Sequence, residues 1–181
     1  MRKLIESSFV SLDGVVTAEK LAPHWGPEGR AWALAELDKF DAFLFGRVTY
    51  ENFAPRWSAV RGDPYMDRIN AMPKYVASST LRDDQMTWGA TLLKGDVAEQ
   101  VAELERRPGK DLIKYGTGRL DRVLVANRLI DAFHFAIFPL ALGQGVHLFE
   151  ACDLEGVTLK LTSTTTMSNG IVRVTYVPSY G

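Results

Sequence analysis

Four short stretches of this chain carry residues that could act on an oxyanion. Gly46-Arg47-Val48-Thr49-Tyr50-Glu51 places a glycine, an arginine and a hydroxyl close together, and Gly116-Thr117-Gly118-Arg119-Leu120 repeats the combination. Ser78-Ser79-Thr80-Leu81-Arg82 offers hydroxyls followed by an arginine, and Ser11-Leu12-Asp13-Gly14 offers a carboxylate in a tight turn. Glycine lets backbone amides approach a phosphate oxygen, a helix N-terminus adds partial positive charge, and arginine clamps phosphate with two parallel hydrogen bonds. Each stretch also has a plain structural reading. Ser78 and Ser79 could cap a helix, Gly116 to Gly118 could be a turn that needs positive φ, Arg47 could pair with Glu51 on a helix surface, and Asp13 could form an Asx turn.

Other chemistries find less support. His24, His134 and His147 show no metal-ligand spacing, and His134 reads as a core histidine within a strand. The single cysteine, Cys152, excludes an internal disulfide framework and an all-cysteine zinc site. It has no base beside it in sequence, and no Gly-x-Ser-x-Gly elbow occurs, so nucleophilic catalysis is disfavoured. Gly116-x-Gly118 is not a Rossmann fingerprint, because Asp121 stands where a third glycine or alanine belongs.

The elements that must position these residues read as an alternating pattern. Leu4 to Val10 is a strand ended by Asp13-Gly14; Pro27 to Phe40 is a helix with Ala31, Leu34, Ala35 and Leu37 at helical spacing. Asp41 breaks that helix, and Ala42 to Phe45 is a continuous apolar run, as in a strand buried on both faces. Short helices follow at Val48 to Phe53 and Asp63 to Ala71, then strands at Lys74 to Ala77 and Thr87 to Lys94. Gly95-Asp96 caps a helix with Val97, Val101 and Leu104 inside, and Glu99, Glu103, Glu105, Arg106 and Arg107 on the wet face. Leu112 to Tyr115 is a strand that runs straight into Gly116; Leu120, Val123 and Leu124 resume helical spacing. Phe133 to Phe138, Val157 to Thr162 and Val172 to Tyr176 are strands, the last two joined across Asn169-Gly170, a hairpin signal. The pattern predicts an α/β fold with a mostly parallel central sheet and antiparallel C-terminal edge strands. Ligands of such folds sit beyond the carboxyl ends of the strands, where all four stretches fall.

Composition bounds the rest. The 181 residues contain 46% hydrophobic and 24% charged residues, with a net charge of -1. A chain of this length buries about 70% of its surface, which suffices for one domain over residues 1–181 without staples. The near-zero charge gives no global field for nucleic acid. The longest apolar run, Phe135 to Leu142, contains Pro139 and is far too short to span a bilayer, and no targeting signal is evident. A cytoplasmic protein is expected.

The four stretches resemble the dihydrofolate reductase-like superfamily. So do Tyr75 to Leu81 and the block from Leu129-Ile130-Asp131 to Pro139-Leu140-Ala141-Leu142-Gly143-x-Gly145-x-x-Leu148-Phe149. Within the superfamily the chain resembles the C-terminal reductase domain of the bifunctional riboflavin-biosynthesis deaminase–reductase, over essentially its whole length. The resemblance implies the three-layer fold of that superfamily and NADPH as cofactor. It implies that Gly46, Arg47 and Thr49 hold cofactor phosphates. Ser78 and Ser79 would lie at the adenosine end, Arg82 near the 2′-phosphate, and Gly116, Thr117, Gly118 and Leu120 around the pyrophosphate. An arginine with hydroxyls, rather than an acid, at the adenosine end favours NADP over NAD. Asp13 would lie beside nicotinamide and substrate and orient the substrate, and Glu28, which opens the helix that carries a substrate carboxylate in true dihydrofolate reductases, would assist protonation; these two are the catalytic candidates. Trp25 and Trp57 could wall a ring pocket or pack as core and lid. The bifunctional enzyme's zinc deaminase signature is missing here.

The expected activity is reduction of a pyrimidine ribosylamine phosphate or a related heterocycle by NADPH. A dihydrofolate reductase-like pteridine reductase and a nucleotide-binding module without turnover are the alternatives. A homodimer is also expected, from the exposed C-terminal hairpin, the excess apolar surface of Phe133, Phe135, Ile137 and Phe138, and the habit of the resembled domains.

Overall fold

The computed structural model describes residues 1–152 and 154–180. In chain order its elements are β1 (Leu4–Ser11), α1 (Ala18–Leu21), α2 (Gly26–Glu36), β2 (Phe40–Gly46), α3 (Arg47–Trp57), α4 (Pro64–Ala71) and β3 (Lys74–Ala77). Then come β4 (Ala90–Leu93), α5 (Val97–Arg106), β5 (Asp111–Tyr115), α6 (Arg119–Ala126), β6 (Ala132–Phe138), β7 (Thr158–Thr166) and β8 (Val172–Ser179). One sheet takes the order β4-β3-β2-β5-β1-β6-β8-β7. The strands from β4 to β6 are parallel, while β8 runs antiparallel to both β6 and β7. The expected α/β architecture is present, with the dihydrofolate reductase-like form described below.

Side-chain alternation along the central strands builds two cores. Leu4, Leu44 and Leu112 point to the face covered by α5 and α6, where Val101, Leu104 and Leu124 meet them. Ile5, Phe43, Phe45 and Ile113 point to the other face and pack on Tyr50, Ala54 and Ile69 of α3 and α4. Ala42 to Phe45 is buried at every position, as a central parallel strand requires. A third cluster joins Leu21 and Trp25 to Phe138, Met167 and Ile171, so the tip of the β7–β8 hairpin belongs to the wall around α1 and α2.

Several boundaries differ from the sequence reading. The helix expected to reach Phe40 is α-helical to Glu36 and continues as a 3-10 turn over Leu37–Lys39, and Phe40 and Asp41 belong to β2. Phe40 is buried opposite Asp111, and Asp41 accepts a hydrogen bond from the Lys110 amide at 2.8 Å while pairing with Arg2. The strand expected from Thr87 shortens to Ala90–Leu93, because Trp88 (φ 58°) and Gly89 (φ 65°) make a left-handed turn. Ser78 caps no helix; its hydroxyl accepts from the amides of Thr80 and Leu81. Glu105 is buried rather than on the wet face of α5. The aromatic surplus of β6 is covered within the chain, with Phe133 and Phe135 edge-on to Phe149 and Phe138 against Phe9 and Trp25. That surface therefore does not call for a partner.

Asp63 caps α4 by accepting from the Met66 amide at 2.9 Å. Because α4 carries Tyr65 and Met66 to the site described next, this cap bears on function as well as stability. Asp63→Ala is expected to cost about 1 kcal/mol. Urea denaturation measures it, and an unchanged midpoint would show that the cap contributes nothing.

Candidate functional site

All four sequence-singled stretches lie beyond the carboxyl ends of parallel strands, and three of them, after β2, β3 and β5, are neighbours there. Gly46 closes β2 opposite Ala77, the last residue of β3, so Ser78 and Ser79 follow at the same sheet edge. Helix α3 begins at Arg47, directly after the strand, and no side chain caps its first turn. Helix α6 begins at Arg119, just past β5, the neighbour of β2. A Cβ on Gly46 would lie 3.5 Å from the Leu120 Cβ, which places the two helix starts in contact. Their free amides and partial charges therefore open on one place. Half-buried Thr49 faces the turn as well, with its hydroxyl 3.6 Å from a Cβ built at Gly116.

The glycines of the turn differ in kind. Gly116 has φ 76°, a conformation that favours glycine on its own account. Gly118 is extended at φ 178°, and a Cβ there would project into open space. Among the described residues nothing requires glycine at position 118.

Beneath the turn lies a buried polar cluster that the sequence reading missed. Lys114 donates to the Gly116 carbonyl and sits 2.9 Å from the Asp121 carboxylate. Asp121 also accepts from the Gly118 amide at 2.6 Å. Glu6 lies opposite Lys114 in the β1–β5 register, accepting from the Ser8 hydroxyl at 2.6 Å. Burial pushes the Glu6 carboxyl up to about 8, against the opposing pull of Lys114. The available signal was a charged residue inside each of two short apolar strands.

A cavity of about 370 Å³ adjoins the turn. Trp25, Trp32, Phe53, Trp57, Tyr65 and Tyr115 give it aromatic walls; Ser7, Ser8, Arg30, Glu36, Asp63 and His134 supply polar groups. Gly116 belongs to both the cavity and the turn. Trp57 stacks on Phe53 with centroids 4.1 Å apart. Trp25 is held flat because Gly29 has no Cβ, which would otherwise lie 2.6 Å from the indole. The Tyr65 and Tyr115 hydroxyls share a hydrogen bond of 2.8 Å, and burial raises both phenols, Tyr65 to about 12, so both stay protonated. Burial also lowers His134, favouring its neutral form.

The two carboxylates singled out as catalytic candidates are engaged elsewhere, and neither lines this cavity. Asp13 accepts from the Ser11 hydroxyl and from the amides of Gly143 (2.7 Å) and Leu142, which together hold it down at about 2. It clamps the loop after β1 to the loop after β6. Glu28 accepts from the amide of Ser168, at 2.9 Å, and from its hydroxyl, which lowers its pKa and ties α2 to the hairpin tip. The helix carboxylate that lines the cavity is Glu36, which also accepts from the Lys39 ammonium. Arg47 is half-exposed and makes only a loose 3.8 Å pair with Glu51. Arg82 is exposed and contacts Asp84 at 3.2 Å. Among the described residues no cluster of three or more His, Cys, Asp or Glu could hold a metal ion, and no helix is long and apolar enough to cross a membrane.

The sheet order, the paired helix starts and the adjoining cavity define a dihydrofolate reductase-like domain with a glycine turn beside an aromatic pocket. The chain belongs to the RibD C-terminal domain family, whose model matches residues 2–173. It is 26% identical to the uncharacterized protein YyaP of Bacillus subtilis (strain 168), covering 97% of this chain and 94% of that one. Its fold is similar to a diaminohydroxyphosphoribosylaminopyrimidine deaminase/5-amino-6-(5-phosphoribosylamino)uracil reductase from Thermotoga maritima, with TM-score 0.70 and 11% identity over 98% of this chain and 57% of that one. It is also similar to dihydrofolate reductase from Enterococcus faecalis complexed with NADP(H) and RAB-propyl, with TM-score 0.62 and 15% identity over 98% and 97% of the two chains. Membership relates the chain to the pyrimidine reductases.

The raised Glu6 carboxyl predicts a pH-dependent stability. Glu6 titrates near 4.5 when unfolded and near 8 when folded, so the folded state holds the extra proton between those values. Wild type therefore loses stability as pH rises through this window, by about 1.4 kcal/mol per pH unit for this one group. Glu6→Gln removes that loss, and its stability relative to wild type should grow from about pH 5 to about pH 8. Urea midpoints at both ends check this; a gap that does not widen would show that Glu6 is ionised in the fold.

Proposed function

We propose that the protein is an NADPH-dependent reductase of a flat heterocycle, with a pyrimidine ribosylamine phosphate as the favoured substrate class. The observation that carries this reading is Gly116, which borders both the anion turn and the aromatic cavity. A dinucleotide with its phosphates on the turn would present its ring to that cavity. The amides at the starts of α3 and α6, with Thr49 and Thr117, would hold the pyrophosphate. Arg47, Ser78, Ser79 and Arg82 would take the adenosine end and its 2′-phosphate. The extended backbone at Gly118 leaves room for a phosphate oxygen to reach the amides.

When bound, NADPH supplies the hydride. This chain's part is to orient and to shield. Trp57 and Phe53 offer a stacking face, and the aromatic walls exclude water from the ring. The Tyr65–Tyr115 pair uses one hydroxyl proton internally and keeps the other free to donate to a substrate nitrogen. Glu36 within the cavity favours a second reading, a pteridine reductase, because a carboxylate suits the amino edge of such a ring.

NADPH should bind roughly ten- to a hundredfold more tightly than NADH, the worth of about 1.5–3 kcal/mol for charge-assisted contacts to the 2′-phosphate. Arg47→Ala should narrow that ratio while leaving the urea midpoint unchanged. Fluorescence titration decides the cofactor; absorbance with dihydrofolate and the ribosylamine phosphate offered separately decides the substrate. Equal affinities for the two cofactors would refute the assignment, and tight NADPH binding with turnover of neither substrate would favour a binding module.

We also propose a homodimer formed through the C-terminal hairpin. Support comes from β7, an edge strand with nearly every residue exposed, and from Leu161 and Val177, which present apolar side chains to solvent. Light scattering should give a mass near twice the 20.1 kDa of one chain. A mass of one chain at micromolar concentration would refute the dimer.

A further inference from the structure

The Gly116–Gly118 turn is tied from below at both ends. The Gly116 amide donates to the Ser7 carbonyl at 3.0 Å, and Lys114 donates to the Gly116 carbonyl. The Gly118 amide donates to Asp121, and the Cys152 thiol donates to the Gly118 carbonyl at 3.3 Å. Lys114 and Asp121 are thus positioning residues: they shape the turn and leave its outer surface open.

Glu6 completes the cluster without touching the turn. It is fully buried, and its Oε2 has no hydrogen-bond partner among the described residues. Lys114 faces it from β5, Asp121 from α6 and Ser8 from its own strand, while β6 sets apolar Phe133 opposite. The half-buried Cys152 thiol, 3.7 Å from Asp121, lies at the rim of the cluster. With Glu6 protonated, the charges of Lys114 and Asp121 cancel. With Glu6 ionised, two carboxylates share one ammonium, and a net negative charge lies under a turn meant for phosphate.

We propose that Glu6, Lys114 and Asp121 form a proton-sensitive anchor, in which ionisation of Glu6 loosens the Gly116–Gly118 turn and lowers its affinity for a bound pyrophosphate. The inference rests on the reading of that turn as the pyrophosphate site of NADPH. The raised Glu6 carboxyl places the transition near pH 8.

Two measurements test it, on wild type and on Glu6→Gln, which keeps the shape and removes the proton equilibrium. The first is the NADPH dissociation constant from about pH 6 to about pH 9.5. Wild type should weaken by roughly tenfold across the Glu6 transition, the scale of one buried charge acting over several ångströms. The variant should lack that step, and the comparison cancels any titration of NADPH itself. The second is the amide resonance of Gly118 in the protein without cofactor, which should shift with a midpoint near 8 in wild type and stay still in the variant. Parallel binding profiles, or a Gly118 amide indifferent to Glu6, overturn the proposal. If wild type binds no NADPH at any pH, the cofactor reading falls, and the amide titration alone then decides whether the anchor exists.

Discussion

The Lys114 ammonium is a positive charge buried to 2% exposure in β5, with β2 on one side and β1 on the other. Its contacts are with the Asp121 carboxylate and the Gly116 carbonyl, and Glu6 faces it across the sheet. Losing either charge of the Lys114–Asp121 pair would leave the other uncompensated, at a cost of about 3–5 kcal/mol. The pair also fixes where α6 begins, and the contact of Leu120 with Gly46 passes that placement on to the start of α3. The core, the turn and the convergence of two helix dipoles thus depend on one ion pair.

Around that point the architecture divides the labour. The parallel strands deliver their last residues to one edge, so hydroxyls, glycines and arginines far apart in sequence become neighbours there. The aromatic residues come from helices and strands behind that edge and enclose a space rather than fill it. Helix α2 shows the difference: Ala31 and Ala35 are exposed, whereas Trp32, Ala33 and Glu36 line the cavity. Its modest amphipathicity follows from facing a pocket instead of a packed core.

Much of this was legible in the sequence, for identifiable reasons. A strand buried on both faces must be apolar throughout, which exposed Ala42 to Phe45 at once. Glycine, arginine and hydroxyl clusters after such runs marked the sheet edge where the strands deliver their last residues. What escaped depends on register, which periodicity does not carry. Glu6 and Lys114 look like ordinary surface charges until β1 and β5 are paired. Glu28 drew notice by its place in the first turn of a helix, yet the hairpin tip brings Ser168 to it and leaves Glu36 for the cavity. Helical spacing ran on to Phe40 because nothing local marks the point where a chain leaves a helix to enter a sheet.

The sheet order also governs the time course of assembly. The first strand, β1, pairs Leu4 with Leu112 and Ile5 with Ala132, so its neighbours emerge more than a hundred residues later. The wall of the cavity waits longer still, for the β7–β8 hairpin to bring Ser168 to Glu28 and Asn169 to the carbonyls of His24 and Trp25. Such long-range closure makes for slow folding. During synthesis β2 can pair with β3 soon after it is made, whereas the apolar strand β1 must stand unpaired until β5 emerges, an interval in which chaperones would find their substrate.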